Sequence, residues 1–325
     1  MKRGTKAGGT QHAAAGLTLF TESELAEIHR GSLEVLERTG IWVEADDALD
    51  LYADGGCRVD RETHIVKIPG GVAEEALSAI PPRFRLYARD PRNDVEIGGS
   101  ASHFVNFGVA VRVNDRVTGE NREPVKSDVV DAARLIDWCS EIDVLLESVV
   151  PSDTTTPALH MLDVNLRNST KPVITGPQSP DEMEACLDLL AVACGGRETF
   201  AERPPALVGG GIVSPLQLCK QGSDNLLSAA RLGLPVAATA MVMAGGSGPQ
   251  TLAGTLVQHN AEVLACATLV QLANRGNPVI LASSSLALDL RYGAAVLGNP
   301  EGALINAGVA QLAHMHGVPC WIQGL

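Results

Sequence analysis

From Ser127 onward the chain alternates between two hydrophobic patterns. Short, unbroken apolar runs begin near Val144 (VLLESVV), Pro172 (PVITG), Ala206 (ALVGGGIV), Pro235 (PVAATAMVMAGG), Pro278 (PVILASSS) and Val318 (VPCWIQ). Runs that are continuous rather than alternating suit parallel strands covered on both faces. Between them lie longer segments with apolar residues at helical spacing. Four of these are expected to start at a capping residue followed by proline: Thr156-Pro157, Ser179-Pro180, Ser214-Pro215 and Asn299-Pro300. In the last, Asn299 caps, Glu301 complements the helix dipole, Ile305, Val309 and Leu312 form the stripe, and Gly317 ends it. Residues 104–107 (FVNF) supply one strand more, ahead of the helix that starts at Ser127.

Seven strands in this alternation predict a (β/α)8 TIM-type barrel that is incomplete at the C-terminus, because Leu325 falls inside the last apolar run. A doubly wound open sheet is the competing architecture. The lack of a GxGxxG after an early strand favours the barrel. Before the repeats, Thr21-Glu22-Ser23-Glu24 reads as a capping box, Leu25, Ile28, Val35 and Leu36 continue a helix, and Gly40 stops it. Short alternating segments follow, with a hairpin around Asp90-Pro91-Arg92-Asn93-Asp94 and turns at Asn114-Asp115 and Thr118-Gly119. Residues 19–125 are therefore expected to form an N-terminal α+β cap and residues 126–325 the barrel repeats. Residues 1–18 are basic and rich in Gly and Ala without a signal peptide's apolar core, which predicts a flexible tail.

Composition narrows the class. The 325 residues are 45% hydrophobic and 19% charged, an ordinary globular balance. No apolar stretch approaches the ~18 residues of a spanning helix. A net charge of -13 repels nucleic acid and anionic membranes, so a small neutral or cationic substrate fits better. The seven cysteines are odd in number and form no CxxC, which predicts free thiols in a reducing cytoplasm and no bound metal.

In a barrel of this kind the chemistry lies at the C-terminal ends of the strands. Here those ends read Asn106-Phe107-Gly108, Glu147-Ser148, Gly176-Pro177-Gln178, Gly209-Gly210-Gly211, Gly245-Gly246-Ser247-Gly248, Ser283-Ser284-Ser285 and Gln323-Gly324. The glycine clusters point to tight turns and close approach rather than a phosphate cradle, since no Lys follows either. Glu147 ends an apolar strand, where a carboxylate is either paired and used or a solvated rim group. The serine run lacks a GxSxG elbow. His314 and His316 face different ways on one helix, which argues against a shared metal, and His259 falls on the apolar side of its own. Aromatic residues make up only 3%, yet Phe107, Trp321 and Tyr292 fall on or just past barrel strands, where a cationic amine could use their faces.

The runs NFGVAVRVNDRVTGENREPVKSDVVDAARLID (106–137), SVVPSDTTTPALHMLDVNLRNSTKPVITG (148–176), MAGGSGPQTLAGTLVQHNAEVLA (243–265) and PVILASSSLALDLRYGA (278–294), with the terminal GNPEGALINAGVAQLAHMHGVPCWIQG, together resemble the trimethylamine methyltransferase family. The resemblance implies a (β/α)8 barrel that moves a methyl group from a methylated amine to Co(I) of a separate corrinoid protein, as in methanogenesis from methylamines. Corrinoid (cobalamin) is then carried by the partner and no cofactor by this chain; a homo-oligomer is compatible with the sequence. Some members of the family carry pyrrolysine, encoded by UAG, late in the barrel, and others demethylate glycine betaine or related quaternary amines with an ordinary residue there. The resemblance places the pyrrolysine directly after Leu325, so the 325-residue chain is expected to be a truncated and inactive form of the enzyme. A betaine-type fragment and a non-catalytic fragment are the alternatives. Phe107, Glu147, Tyr292 and Gln323 are the substrate-site candidates, by position alone.

Overall fold

A computed structural model of the chain describes residues 18–200 and 202–323. The tail expected over residues 1–18, save its last residue, lies outside them, as do Gly324 and Leu325. Along the chain the elements are α1 (Glu22–Glu34), β1 (Ile41–Val43), α2 (Asp46–Asp54), β2 (Arg58–Asp60), β3 (Ile65–Lys67), α3 (Gly70–Ala79), β4 (Arg83–Leu86), β5 (Val95–Gly98), β6 (Val113–Asn114) and β7 (Asn121–Arg122). There follow α4 (Lys126–Trp138), β8 (Leu145–Leu146), α5 (Pro157–Asn168), β9 (Val173–Thr175), α6 (Pro180–Cys194), β10 (Ala206–Ile212), β11 (Gln217–Leu218), α7 (Lys220–Arg231), β12 (Val236–Ala240) and β13 (Met243–Ala244). The chain continues through α8 (Leu252–Ala273), β14 (Val279–Ser283), β15 (Leu286–Asp289), β16 (Ala294–Val296), α9 (Pro300–His316) and β17 (Cys320–Ile322). The described residues fall into two compact units, one of 84–209 with 232–234, the other of the remainder.

In the first unit β8, β9 and β10 lie side by side and parallel, with Leu145 opposite Val173 and Val173 opposite Ala206. Strand β8 is followed by α5 and β9 by α6, in the manner of βαβ crossovers. Between α4, α5 and β8 lies a core of Val129, Ala133, Ile136, Leu145, Val149, Ala158, Met161 and Val164. Each such side chain, fully buried, contributes about 1.5–3 kcal/mol when as large as Val or Leu. The segment expected as a strand over 104–107 is held by two parallel bridges, Val105 with Val144 and Ala110 with Val149, rather than by a ladder. Between them the Asn106 side chain does the ladder's work: its Oδ1 accepts from Leu146 N at 2.8 Å, and its Nδ2 donates to Leu146 O at 2.9 Å. The expected hairpins are present as the pairs β4–β5 and β6–β7.

In the second unit β12, β14 and β17 run parallel, with Ala238 opposite Leu281 and Leu281 opposite Cys320. Beside them stands a four-stranded sheet in the order β11-β1-β3-β2. Helix α8 packs against α1, α2, α3, α7 and α9 and against β12 and β14, and a helix surrounded in this way is mostly apolar, with its few polar side chains needing partners. Its residues 259–271 are all buried. Thr21 and Glu24 form the expected capping box, and Gly40 terminates the first helical run with φ of 80°.

Two expected helix starts need correction. Ser214-Pro215 does not open a helix; α7 begins at Lys220, because the Ser214 hydroxyl is spent on the carboxylate of Glu262 at 2.6 Å. Thr156 precedes α5 but its side chain makes no cap, leaving Pro157 alone to favour the first turn. Ser179 and Asn299 cap as expected.

Candidate functional site

The polar group that most needs an explanation is Glu147, directly after β8. Its side chain is only 6% exposed. Oε1 accepts from the Thr175 hydroxyl at 2.9 Å and from Gly176 N at 3.2 Å, both at the end of the neighbouring strand β9. Oε2 accepts nothing from the described residues, and no cationic side chain among them pairs with the carboxylate. Burial, with the nearby charge of Glu182 added, outweighs the two hydrogen bonds and pushes the carboxyl up to about 7. The rim reading of Glu147 is therefore replaced by a buried one. Chain neighbours reinforce the position: a Cβ on Gly108 would lie 1.9 Å from Glu147 O, so residue 108 must be glycine for the backbones to approach. Ser148 next to it holds a buried hydroxyl without a partner.

Behind Glu147 stands Glu182 on the first turn of α6, 4% exposed. Its Oε2 accepts from Gln178 N at 2.8 Å and its Oε1 from Leu159 N at 3.2 Å. It thereby ties the turn after β9 to the first turn of α5. Gln178 in turn donates from Nε2 to Gly176 O at 2.8 Å. Cys186, one helical turn on, is buried, and burial followed by the charges of Glu182 and Glu147 pushes its thiol up to about 12. It is a packed, unreactive thiol. Sequence reading missed Glu182, whose place four residues after Gln178 in a first helical turn reads as dipole complementation only.

The other candidates fall as follows. Phe107 lies in the bridged segment beside β8 and is 68% exposed. Tyr292 belongs to the second unit, in the turn between β15 and β16, 72% exposed with the Arg291 guanidinium 5.4 Å from its ring. Gln323, also in the second unit, is half-buried just past β17 and donates its N–H to Ser283 O at 3.1 Å. Phe107 and Glu147 thus share one unit, while Tyr292 and Gln323 share the other.

The remaining motifs are structural. Ser285 Oγ accepts from Val242 N at 3.0 Å, and Ser283 Oγ accepts from Ser285 N at 3.1 Å, so neither hydroxyl is poised as a nucleophile. The amides of the 245–248 cluster close on Met243 and on each other, leaving no phosphate cradle. His259 is buried with Nε2 3.3 Å from Ala282 O, and burial pushes it down to about 4. His314 is exposed, whereas His316 turns inward with its ring 4.4 Å from that of His29. A second buried carboxylate, Glu262 on α8, is saturated: Ser214 Oγ, Leu216 N and Gln258 Nε2 all donate to it. Among the described residues no three His, Cys, Asp or Glu side chains group as a metal site would, and no helix is long and apolar enough to cross a membrane.

Comparison with known proteins agrees with this architecture. Residues 3–325 match the family model for trimethylamine methyltransferase (MTTB). The chain is 37% identical to trimethylamine methyltransferase MttB of Desulfitobacterium hafniense, covering 98% of this chain and 65% of that protein. It is 36% identical to MttB of Methanosarcina thermophila over 95% of this chain and 65% of the relative. A glycine betaine methyltransferase of Desulfitobacterium hafniense is 31% identical over 93% of this chain and 63% of its own length. The chain thus spans just under two thirds of the curated relatives it matches. In fold it is similar to the crystal structure of the Methanosarcina barkeri monomethylamine methyltransferase MtmB, with TM-score 0.54 at 13% identity, covering 92% of this chain and 65% of that one.

Proposed function

We propose, from the premise that this chain belongs to the trimethylamine methyltransferase family, that it binds a methylated ammonium at Glu147 and presents one of its methyl groups for transfer to a corrinoid protein. The observation that carries the reading is a buried carboxylate with one bonded oxygen, one unbonded oxygen and, among the described residues, no paired cation. A buried carboxylate is costly unless it is paired. Here the counter-ion is left for the ligand to bring.

Breaking an N–CH3 bond leaves the electron pair on nitrogen, which requires that the nitrogen carry positive charge as the bond breaks. An ionised Glu147 favours that charge. At about 4 Å and an effective dielectric near 20 the attraction is on the order of 4 kcal/mol. The bonds from Thr175 and Gly176 fix the plane of the carboxylate, so Oε2 addresses the nitrogen from one direction, and orientation of this kind lowers the barrier. The ring of Phe107 offers an aromatic face worth roughly 0.5–2 kcal/mol to such a cation. The acceptor in this reading is cobalt of a corrinoid on a separate protein, which supplies the nucleophile; this chain's own part is to bind, desolvate and orient the amine. A (β/α)8 barrel incomplete at its C-terminus and a cytoplasmic setting belong to the same reading, supported by the parallel strand–helix order and by the free cysteines.

The betaine-type relative supports a second substrate, a quaternary amine with its own carboxylate. The protein translated from the intact locus, mixed with a Co(I) corrinoid protein, should form methyl-cobalt with trimethylamine, and Glu147→Gln should cut the rate at least about 100-fold. Formation from glycine betaine alone would assign the second substrate, and an undiminished Glu147→Gln rate would remove Glu147 from the site.

A further inference from the structure

Glu147 and Glu182 are two buried carboxylates with opposite hydrogen-bonding situations. Glu182 gives each oxygen to one backbone N–H, from Leu159 and from Gln178. Glu147 has both of its donors on one oxygen. The two are joined by a short polar path: Glu182 holds Gln178 N at 2.8 Å, Gln178 Nε2 holds Gly176 O at 2.8 Å, and Gly176 N reaches Glu147 at 3.2 Å. Resting on the reading that Glu147 receives the ammonium, we propose that Glu182 is a positioning residue that decides when Glu147 can accept a cation, by placing a fixed negative charge behind it and by holding the 176–178 turn that supports it.

Burial is the largest influence on Glu147, and Glu182 is the charged group that acts on it. The titratable group acting on Glu147 is Glu182 on α6, while Cys186 on the same helix is itself raised by Glu147. Strand β9 contributes the uncharged Thr175 hydroxyl and Gly176 N–H, and the bridged segment contributes Asn106 and Gly108. Cys186 keeps its proton across the neutral range. The negative charge of Glu182 raises Glu147, adding to burial. Raised to about 7, Glu147 takes up a proton near neutrality. Cation binding to Glu147 then displaces that proton, so affinity climbs with pH until Glu147 is ionised in the free protein.

Tetramethylammonium, whose charge does not change with pH, serves as the probe in isothermal titration calorimetry between pH 5.5 and 8.5. Wild type should bind about tenfold more tightly at pH 8 than at pH 6. Glu182→Gln should move the midpoint down, so that the variant's affinity relative to wild type is about twofold higher at pH 6 than at pH 8.5, whatever uniform loss the weakened 176–178 turn adds at both. A purely structural Glu182 would weaken binding by one factor at every pH, and that result overturns the inference. Glu182→Asp, which retracts the charge by one methylene, gives the same comparison with a smaller shift where the glutamine variant does not fold. Glu147→Gln isolates the underlying reading: loss of binding at all pH values supports it. Unchanged binding by that variant, or no binding by wild type at pH 8.5, refutes the reading and the inference with it.

Discussion

At the scale of single residues, Glu147 works against the stability of the protein that holds it. Its carboxyl is raised from 4.5 in the unfolded chain to about 7 in the folded one, chiefly by burial. Between those values the folded state binds the additional proton, so the contribution is fully present below about 4.5 and is lost as pH rises through 7. At pH 8 the protein therefore carries a penalty of about 2–3 kcal/mol for ionising this group in place. Glu147→Gln has no such penalty. The gap in unfolding free energy between variant and wild type should move in the variant's favour by about that amount from pH 4.5 to pH 8, as urea titrations at the two pH values would record. A pH-independent gap would mean that the carboxyl is solvated after all. The sequence pointed to Glu147 because a charged residue ends an apolar run. Glu182 gave no comparable signal, since a glutamate in a first helical turn is common for dipole reasons alone.

At the scale of elements, much of the architecture is readable from local pattern. The apolar runs at 172, 206, 235 and 278 became β9, β10, β12 and β14 because continuous apolar sequence can only be buried on both faces. Local pattern failed where a side chain had a distant partner. Ser214-Pro215 has the form of a helix start, yet Glu262, 48 residues away, takes the hydroxyl. Likewise the four-stranded sheet pairs β1 with β11, whose registers meet at Trp42 and Gln217, and nothing in either segment announces the other. The glycines of β10 record close packing between elements. A Cβ on Gly211 would lie 2.1 Å from Thr239 O, and one on Gly222 of α7 would lie 2.2 Å from Gly211 O. Gly211→Ala should therefore cost more than about 2 kcal/mol, since backbone rather than a flexible side chain must yield. Gly56→Ser, with nothing within 4 Å of the added Cβ but a φ of 85°, should cost less, on the order of 1 kcal/mol. Thermal melts of the two variants test the contrast, and equal losses would deny the tight β10–β12 contact at Gly211.

At the scale of the molecule, an acidic chain with net charge -13 keeps anionic partners away and favours the approach of a cationic substrate. Family membership fixes the class of chemistry to be looked for, and the chain itself then has to supply a place for a cation. Glu147 is a buried carboxylate that retains an unbonded oxygen and has no paired cation among the described residues, whereas Glu182 and Glu262 have both oxygens engaged and Asp224 is paired with Lys220. That asymmetry is a property of the fold, because it depends on β8 and β9 lying parallel in register so that Thr175 and Gly176 reach one oxygen only. Aromatic positions were legible as rings on or just past strands, but their grouping around a ligand is not a local property of the sequence. The most direct measurement is a carbon-13 NMR titration of the Glu147 carboxyl in glutamate-labelled protein, assigned with Glu147→Gln, without and with saturating trimethylammonium. The account predicts a midpoint near 7 in the free protein that falls below about 6 when the amine is bound, because the ligand brings the missing counter-ion. A midpoint that stays where it was with the amine bound would contradict it.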